Sequence, residues 1–278
     1  MKLKLPSILS VFTLFAATSV GYAQSEQPPQ PLRIDTVQTV VQQPNAAQPD
    51  RIPTDKGAMS IHPILHSSLV IQWNGQTIYS DPYGGAELFN KVPAPDLVLI
   101  TDIHGDHLHP ETLKELDLSH AELIAPKAVL DQLGDINFKQ THELANGEAL
   151  TWQGIRVEAI PMYNLPESPD SRHTRGRGNG YVLTLGGKRV YISGDTEDIP
   201  EMRQLKNIDV AFVCMNLPYT MDVAHAASAV LAFKPKIVYP FHFRGGEGKL
   251  SDVEKFKSLV TKQDPNIDVR LRDWYPVQ

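Results

Sequence analysis

Apolar positions along this chain recur with two periods. Short runs rich in Val, Ile and Leu, bounded by Gly, Pro, Asn and Asp, predict strands at residues 67–72, 77–80, 97–100, 122–125, 155–160, 180–185, 189–192, 210–213 and 236–239. Stretches whose apolar residues return every three or four positions predict helices at 110–116, 126–133, 199–205, 222–233 and 252–260. In the fourth of these, Val223, Ala226, Ala227, Val230 and Leu231 fall on one face. Pro110 suits the first turn of the first helix, where no backbone N–H is needed. Asn74-Gly75 and Gly186-Gly187 are two-residue hairpin turns, because both pairs accept the positive φ that such turns demand. Strands alternating with helices predict an α/β domain.

The N-terminal part follows neither period. Lys2 and Lys4 precede an apolar stretch from Leu5 to Val20, and Gly21-Tyr22-Ala23 closes it. That order describes a secretory signal peptide over residues 1–23, so export is expected, to the periplasm if the source is a Gram-negative bacterium. The run is too short and too interrupted to span a bilayer, and no stable membrane insertion is expected. Residues 24–57, rich in Gln, Pro, Ala, Ser and Asp, predict a flexible linker. Within it only residues 32–41 could add a strand, through Ile34, Val37, Val40 and Val41. Residues 58–278 are then long enough for one domain with a sizeable core.

Composition narrows the function. A net charge of −6 without a basic stripe argues against non-specific nucleic-acid binding. The single cysteine, Cys214, allows no intramolecular disulfide, and its place at the end of an apolar run predicts a buried strand residue. The chemistry concentrates in Thr101-Asp102-Ile103-His104-Gly105-Asp106-His107-Leu108-His109. This loop runs from a predicted strand end into a predicted helix, so a rigid element can aim several imidazoles and carboxylates at one point. Further ligand types stand near the same kinds of element: His173 before a glycine-rich turn, Asp195 after the strand at 189–192, and His242 after the strand at 236–239.

Taken in order, these residues resemble the metallo-β-lactamase superfamily, from about Met59 to the C-terminus. That family's opening motif, His-x-His-x-Asp-His, reads here as Asp102-x-His104-x-Asp106-His107, with aspartate in place of the first histidine. The later family ligands fall on His173, Asp195 and His242. The segment from Leu185 to Thr196, together with His66-Ser67-Ser68 and Asp81-Pro82, is similar to the branch of ascorbate-6-phosphate lactonase and the N-acyl phosphatidylethanolamine phospholipase D type enzymes.

The resemblance implies an αββα sandwich and a centre for one or two zinc ions, with Mn2+ or Fe2+ as alternatives. Asp102, His104 and His173 would form one site, Asp106, His107 and His242 the second, and Asp195 would bridge them. A single ion at Asp106, His107 and His242 is the competing arrangement, with Asp102 then outside the ligand set. Such a centre supplies a hydroxide nucleophile at neutral pH, so no serine or cysteine is needed. Asp106 and His66 are the candidate catalytic side chains, with His66 contacting substrate, orienting a ligand or serving only the fold. Asp81 is expected to orient a ligand or cap a turn, and His109 to pack within the loop. His62, His120, His142 and His225 read as structural or solvated. Arg175 and Arg177, flanking His173 with Arg172, are either contacts for an anionic small-molecule substrate or a solvated basic loop, and Arg244 adds to the anionic reading. The expected activity is hydrolysis of an ester, lactone or phosphodiester; a non-catalytic periplasmic metal-binding protein is the alternative.

Overall fold

Two seven-stranded sheets share a core in the computed structural model, which describes residues 48–275. The first sheet runs in chain order through β1 (Asp50–Thr54), β2 (Gly57–Leu65), β3 (Ser68–Trp73), β4 (Gln76–Ser80), β5 (Leu97–Leu99), β6 (Glu122–Ala125) and β7 (Gln140–Glu143). The second comprises β8 (Ala149–Trp152), β9 (Ile155–Met162), β10 (Gly178–Leu185), β11 (Lys188–Ile192), β12 (Val210–Cys214), β13 (Ile237–Phe241) and β14 (Asp268–Val269), again in chain order across the sheet. In both sheets four antiparallel strands lead into parallel ones, from β4 onward and from β11 onward. Parallel neighbours need crossovers, and these carry the helices. They are α1 (Pro110–Glu115), α2 (Lys127–Leu130), α3 (Pro200–Arg203), α4 (Val223–Phe233) and α5 (Val253–Gln263).

Side-chain alternation explains the layering. Leu69, Ile71, Leu97, Leu99 and Ile124 of the first sheet join one core with Val157, Leu183 and Ile192 of the second. Their neighbours Val70, Val98, Ile100, Leu123 and Ala125 point the other way, into a separate core with Leu113 and Val129 of the first two helices. Burying each such aliphatic side chain contributes about 1.5–3 kcal/mol. The predicted αββα sandwich is the observed fold. Both predicted hairpin turns form, with φ of 52° and 79° at Asn74 and Gly75 and of 50° and 74° at Gly186 and Gly187.

Several elements depart from the pattern. The helices expected at 126–133 and 199–205 keep only one α-turn each, because the chain tightens: Gln132 N bonds Val129 O, and Leu205 N bonds Met202 O, three residues back. The linker expected to reach residue 57 contains β1, which pairs with β2, buries Ile52 and accepts the Tyr239 hydroxyl on Asp50 Oδ2 at 2.7 Å. The strand possible at 32–41, the signal peptide at 1–23 and the linker as far as residue 47 lie outside the described residues. No described helix is long and apolar enough to cross a membrane.

The topology places one end of the sandwich under chemical load. The chain leaves β4 at Asp81, β5 into the 101–109 loop, β11 into Ser193-Gly194-Asp195, β12 toward Asn216 and β13 at His242. All are exits from the C-terminal ends of parallel or adjoining strands.

Candidate metal centre

The 101–109 loop is held from below. Asp81 Oδ1 accepts the Thr101 N–H at 2.8 Å, and its Oδ2 accepts the Thr101 hydroxyl at 2.7 Å. Both Asp81 Oδ2 and Thr101 Oγ1 then face His107 Nδ1 at 2.9 Å. With that hydroxyl proton committed to Asp81, both oxygens act as acceptors, so the His107 proton resides on Nδ1. The Nε2 lone pair is left for the centre. Asp81 therefore orients a ligand-type side chain, one of the two roles its sequence position offered. His109 turns away: its Nδ1 accepts the Thr112 N–H at 3.2 Å and caps α1.

Side chains from both sheets meet above that support. Asp102, His104 and His173 form one group able to hold a metal ion, and His107, Asp195 and His242 form another; within each, the ligand atoms lie within 4.8 Å of one another. His66, Asp106 and His242 make a third group by the same measure. Asp195 stands between: Oδ2 lies 3.4 Å from His173 Nε2 and 3.6 Å from His107 Nε2, and Oδ1 lies 3.3 Å from His242 Nε2. Asp106 Oδ2 is 3.3 Å from His242 Nε2, and Asp102 Oδ2 is 3.7 Å from His173 Nε2 and directly against His104 Nδ1. Every sequence-predicted ligand position is thus brought to one place.

The electrostatics fit a cation. Burial opposes ionisation of Asp195, yet His242, His107 and His173 overcome it and hold its pKa well below the carboxylate range. Asp102 and Asp106 are likewise lowered against burial, the first through its hydrogen bond with His104, the second through His107 and His242. His107 is pushed well above its ordinary value, because Asp195, Asp81 and Asp106 outweigh burial, so the carboxylates around Nε2 favour a positive charge there that a bound ion would supply in place of a proton; burial lowers His173. His107 Nε2, His173 Nε2 and Asp195 Oδ1 are buried and have no hydrogen-bond partner. A buried polar atom left unpaired costs about 1–3 kcal/mol, so three converging ones point to a group that they bind together. Nitrogen and carboxylate donors without a thiolate suit Zn2+, Mn2+ or Fe2+. Cys214 stays apart, its sulfur directed at Thr196 O and its pKa pushed up by burial to about 12.

Backbone conformation marks the same region. His66, Asp81 and His242 all have left-handed backbones, with φ of 54°, 44° and 44°. Such conformations cost non-glycine residues about 1–3 kcal/mol and gather at functional sites. His66 packs edge-on against His242, Tyr83 and Tyr275, and its carbonyl accepts the His242 N–H at 3.1 Å. Burial and His242 lower its pKa to about 4, so the ring is neutral at neutral pH.

Four residues that the sequence did not single out support the site. Thr101 completes the His107 relay. Asn164 Oδ1 accepts the His173 N–H at 2.8 Å and fixes that loop. Asn216 Nδ2 lies 3.4 Å from Asp195 Oδ2 and 3.3 Å from His242 Nε2. Tyr275 Oη accepts the Arg244 N–H at 3.1 Å and faces His66 Nδ1 at 3.4 Å. Asn216 follows a strand end, as Asp195 does, and that position was its one available signal. The arginines near His173 have protein partners. Arg175 bonds Glu167 at 3.1 Å, pairs with Glu201 and lies over the Tyr163 ring. Arg177 donates to the Arg172 carbonyl and faces Asp102. Arg172 and Arg244 lie over the Tyr219 and Tyr275 rings at 4.6 and 4.1 Å, and neither makes an ion pair among the described residues.

Comparison with known proteins agrees with this geometry. Residues 60–242 match the beta-lactamase superfamily domain. A UPF0173 metal-dependent hydrolase of Thermoplasma acidophilum is 30% identical over 211 residues, spanning 69% of this chain and 91% of the relative. The crystal structure of a Parabacteroides distasonis protein, a candidate metal-dependent hydrolase by its description, is 40% identical with a TM-score of 0.72, over 82% of this chain and 99% of that one. A metallo hydrolase of the archaeon Ignicoccus hospitalis, 24% identical with a TM-score of 0.64 over 77% of this chain and 94% of that one, shows the fold alone.

Proposed function

The chain belongs to the metallo-β-lactamase superfamily, and on that premise we propose that it is a metal-dependent hydrolase of a small anionic ester, lactone or phosphodiester. Asp102, His104 and His173 would hold one ion, Asp106, His107 and His242 the other, with Asp195 shared. The observation that carries this reading is the convergence of His107 Nε2, His173 Nε2 and Asp195 Oδ1, all buried and unpartnered. Ions bound there would supply a deprotonated water and polarise the scissile oxygen.

The chain's own residues do the rest. Asp106, ionised at neutral pH, would accept a hydrogen bond from the attacking water's O–H and so orient it. Asp81 and Thr101 keep the His107 proton on Nδ1. His66, neutral and held by three aromatic rings, offers a hydrogen bond to the substrate or leaving oxygen without adding charge. Arg175 and Arg177 beside His173 also face carboxylates, and Arg244, seated on the Tyr275 ring next to His66, is a further candidate contact for the substrate's negative group. Within the superfamily, the Leu185–Thr196 segment and His66-Ser67-Ser68 favour the lactonase and phospholipase D type branch, and zinc is the first metal to test.

Elemental analysis of protein purified without chelator, paired with turnover of anionic and neutral esters, lactones and phosphodiesters, tests the proposal. Metal near one or two equivalents, with hydrolysis abolished by chelator, is expected. Metal content near zero after reconstitution with zinc and manganese would contradict the centre. Full occupancy without turnover of any substrate would favour a binding protein over an enzyme.

A further inference from the structure

Asp102 is fully buried, and its two oxygens face different partners. Oδ2 shares a hydrogen bond with His104 Nδ1 and lies 3.7 Å from His173 Nε2, on the side of the other two members of the group. Oδ1 has no hydrogen-bond partner. Facing it at 3.7 Å is Arg177 Nε, which is itself buried and unpartnered. The same guanidinium donates through Nη2 to the carbonyl of Arg172, the residue before His173. Arg177 thus touches the carboxylate of one member of the first triad and the backbone beside another. Its approach is fixed by the sheet: Asn179 N bonds Thr101 O at 2.9 Å, so the chain entering β10 runs alongside the residue before Asp102.

We propose that Arg177 is a positioning residue for the first metal site: it engages Asp102 Oδ1, leaves Oδ2 as the single ligating oxygen, and offsets the charge of that carboxylate. The inference rests on the reading of Asp102 as a ligand. A carboxylate whose outer oxygen is held by a guanidinium donates one oxygen and little net charge, close in effect to a neutral imidazole. Without the guanidinium, both oxygens and the full charge become available to the ion. Hard ions are held chiefly by charge and oxygen, whereas Zn2+ accepts nitrogen donors readily. Arg177 therefore tunes which metal the first site selects. Lysine at the same position keeps the charge but loses the planar fork that spans two acceptors.

The test is competition titration of Zn2+ and Mn2+, each against a chromophoric chelator, on the purified full chain. Wild type, Arg177→Ala, Arg177→Lys, Asp102→His and the double variant Asp102→His/Arg177→Ala are compared. Thermal unfolding of each confirms that it folds. In Arg177→Ala, one of the two sites should shift its Mn2+ to Zn2+ affinity ratio toward Mn2+ by about tenfold or more, and the other should stay within twofold. Arg177→Lys should fall between wild type and Arg177→Ala. In the Asp102→His background, removing Arg177 should change the ratio by less than twofold, because no carboxylate remains to be offset. A ratio within twofold of wild type in Arg177→Ala overturns the inference, as does an equal shift in the Asp102→His background, which would mean that Arg177 acts on something else. Wild type that binds neither ion overturns the reading of the centre, and this inference with it.

Discussion

His66 shows how a single residue can serve a site against its own backbone preference. Its φ of 54° suits glycine, yet the imidazole is held by Tyr275, Tyr83 and His242. Removing the ring while keeping or relieving the backbone constraint separates the two roles. His66→Gly should be more stable than His66→Ala by about 1 kcal/mol, since only alanine retains the left-handed penalty. Both should lose activity on the order of a hundredfold if the ring contacts the reacting oxygen. Urea unfolding and steady-state rates measure the pair; equal stabilities would mean that the neighbourhood relaxes around residue 66. Cys214 gives the opposite case. Fully buried, with a thiol pKa of about 12, it should resist iodoacetamide at pH 8 in the native protein and react only on unfolding, as mass spectrometry would show. Its structural character was legible from the apolar run that it ends. The ligand types were legible for a related reason: chemistry-bearing residues after strand ends are exposed to few alternative explanations. Asn164 and Tyr275 were not, because each acts through tertiary contact with a distant residue, His173 or His66, and carries no local motif.

At the scale of elements, most inner strands followed from their patterns, but inner β2 (Gly57–Leu65) and the edges did not. β5 and β12 are continuous apolar runs, and β6 and β11 become so after Glu122 and Lys188-Arg189, because both faces are covered there. β7 is Gln140-Thr-His-Glu and β14 only two residues, so neither offers an alternation to read. β1 was hidden by the polar segment preceding it. The junction between β10 and the 101–109 loop is where element packing meets chemistry. A Cβ on Gly178 would lie 2.8 Å from Thr101 O and 2.6 Å from the Met162 side chain. Thr101 O also accepts Asn179 N, so the carbonyl cannot retreat without releasing that bond. Gly178→Ala should therefore destabilise the fold by about 1–3 kcal/mol through overpacking. It should also weaken metal binding, because Asp102 and Arg177 flank the contact. Urea midpoints and metal titration check this; an unchanged metal affinity would show that the loop holds its shape without β10.

For the whole molecule, the decisive fact is that neither sheet owns the site. Asp102, His104, Asp106 and His107 follow β5 in the first sheet, whereas Asp195 and His242 follow β11 and β13 in the second, and His173 lies between β9 and β10. An ion bound here links the two layers, and the unfolded chain, with these ligands dispersed, holds it far more weakly. Binding to the folded state alone stabilises by about 4 kcal/mol when free metal is a thousand times Kd. For a domain of this size each kcal/mol moves the midpoint by about 2–4 °C, so stripping the metal should lower Tm by about 8–16 °C. Because the ligands straddle both sheets, the loss should appear as one cooperative transition shifted downward. Metal-free protein should regain its Tm on adding zinc or manganese, and Asp195→Ala should blunt that recovery, since its carboxylate faces histidines of both groups. Differential scanning calorimetry with and without chelator reads the shift directly. A Tm that chelation leaves within about 2 °C would mean that the folded protein held no tightly bound ion and that the sandwich is self-sufficient.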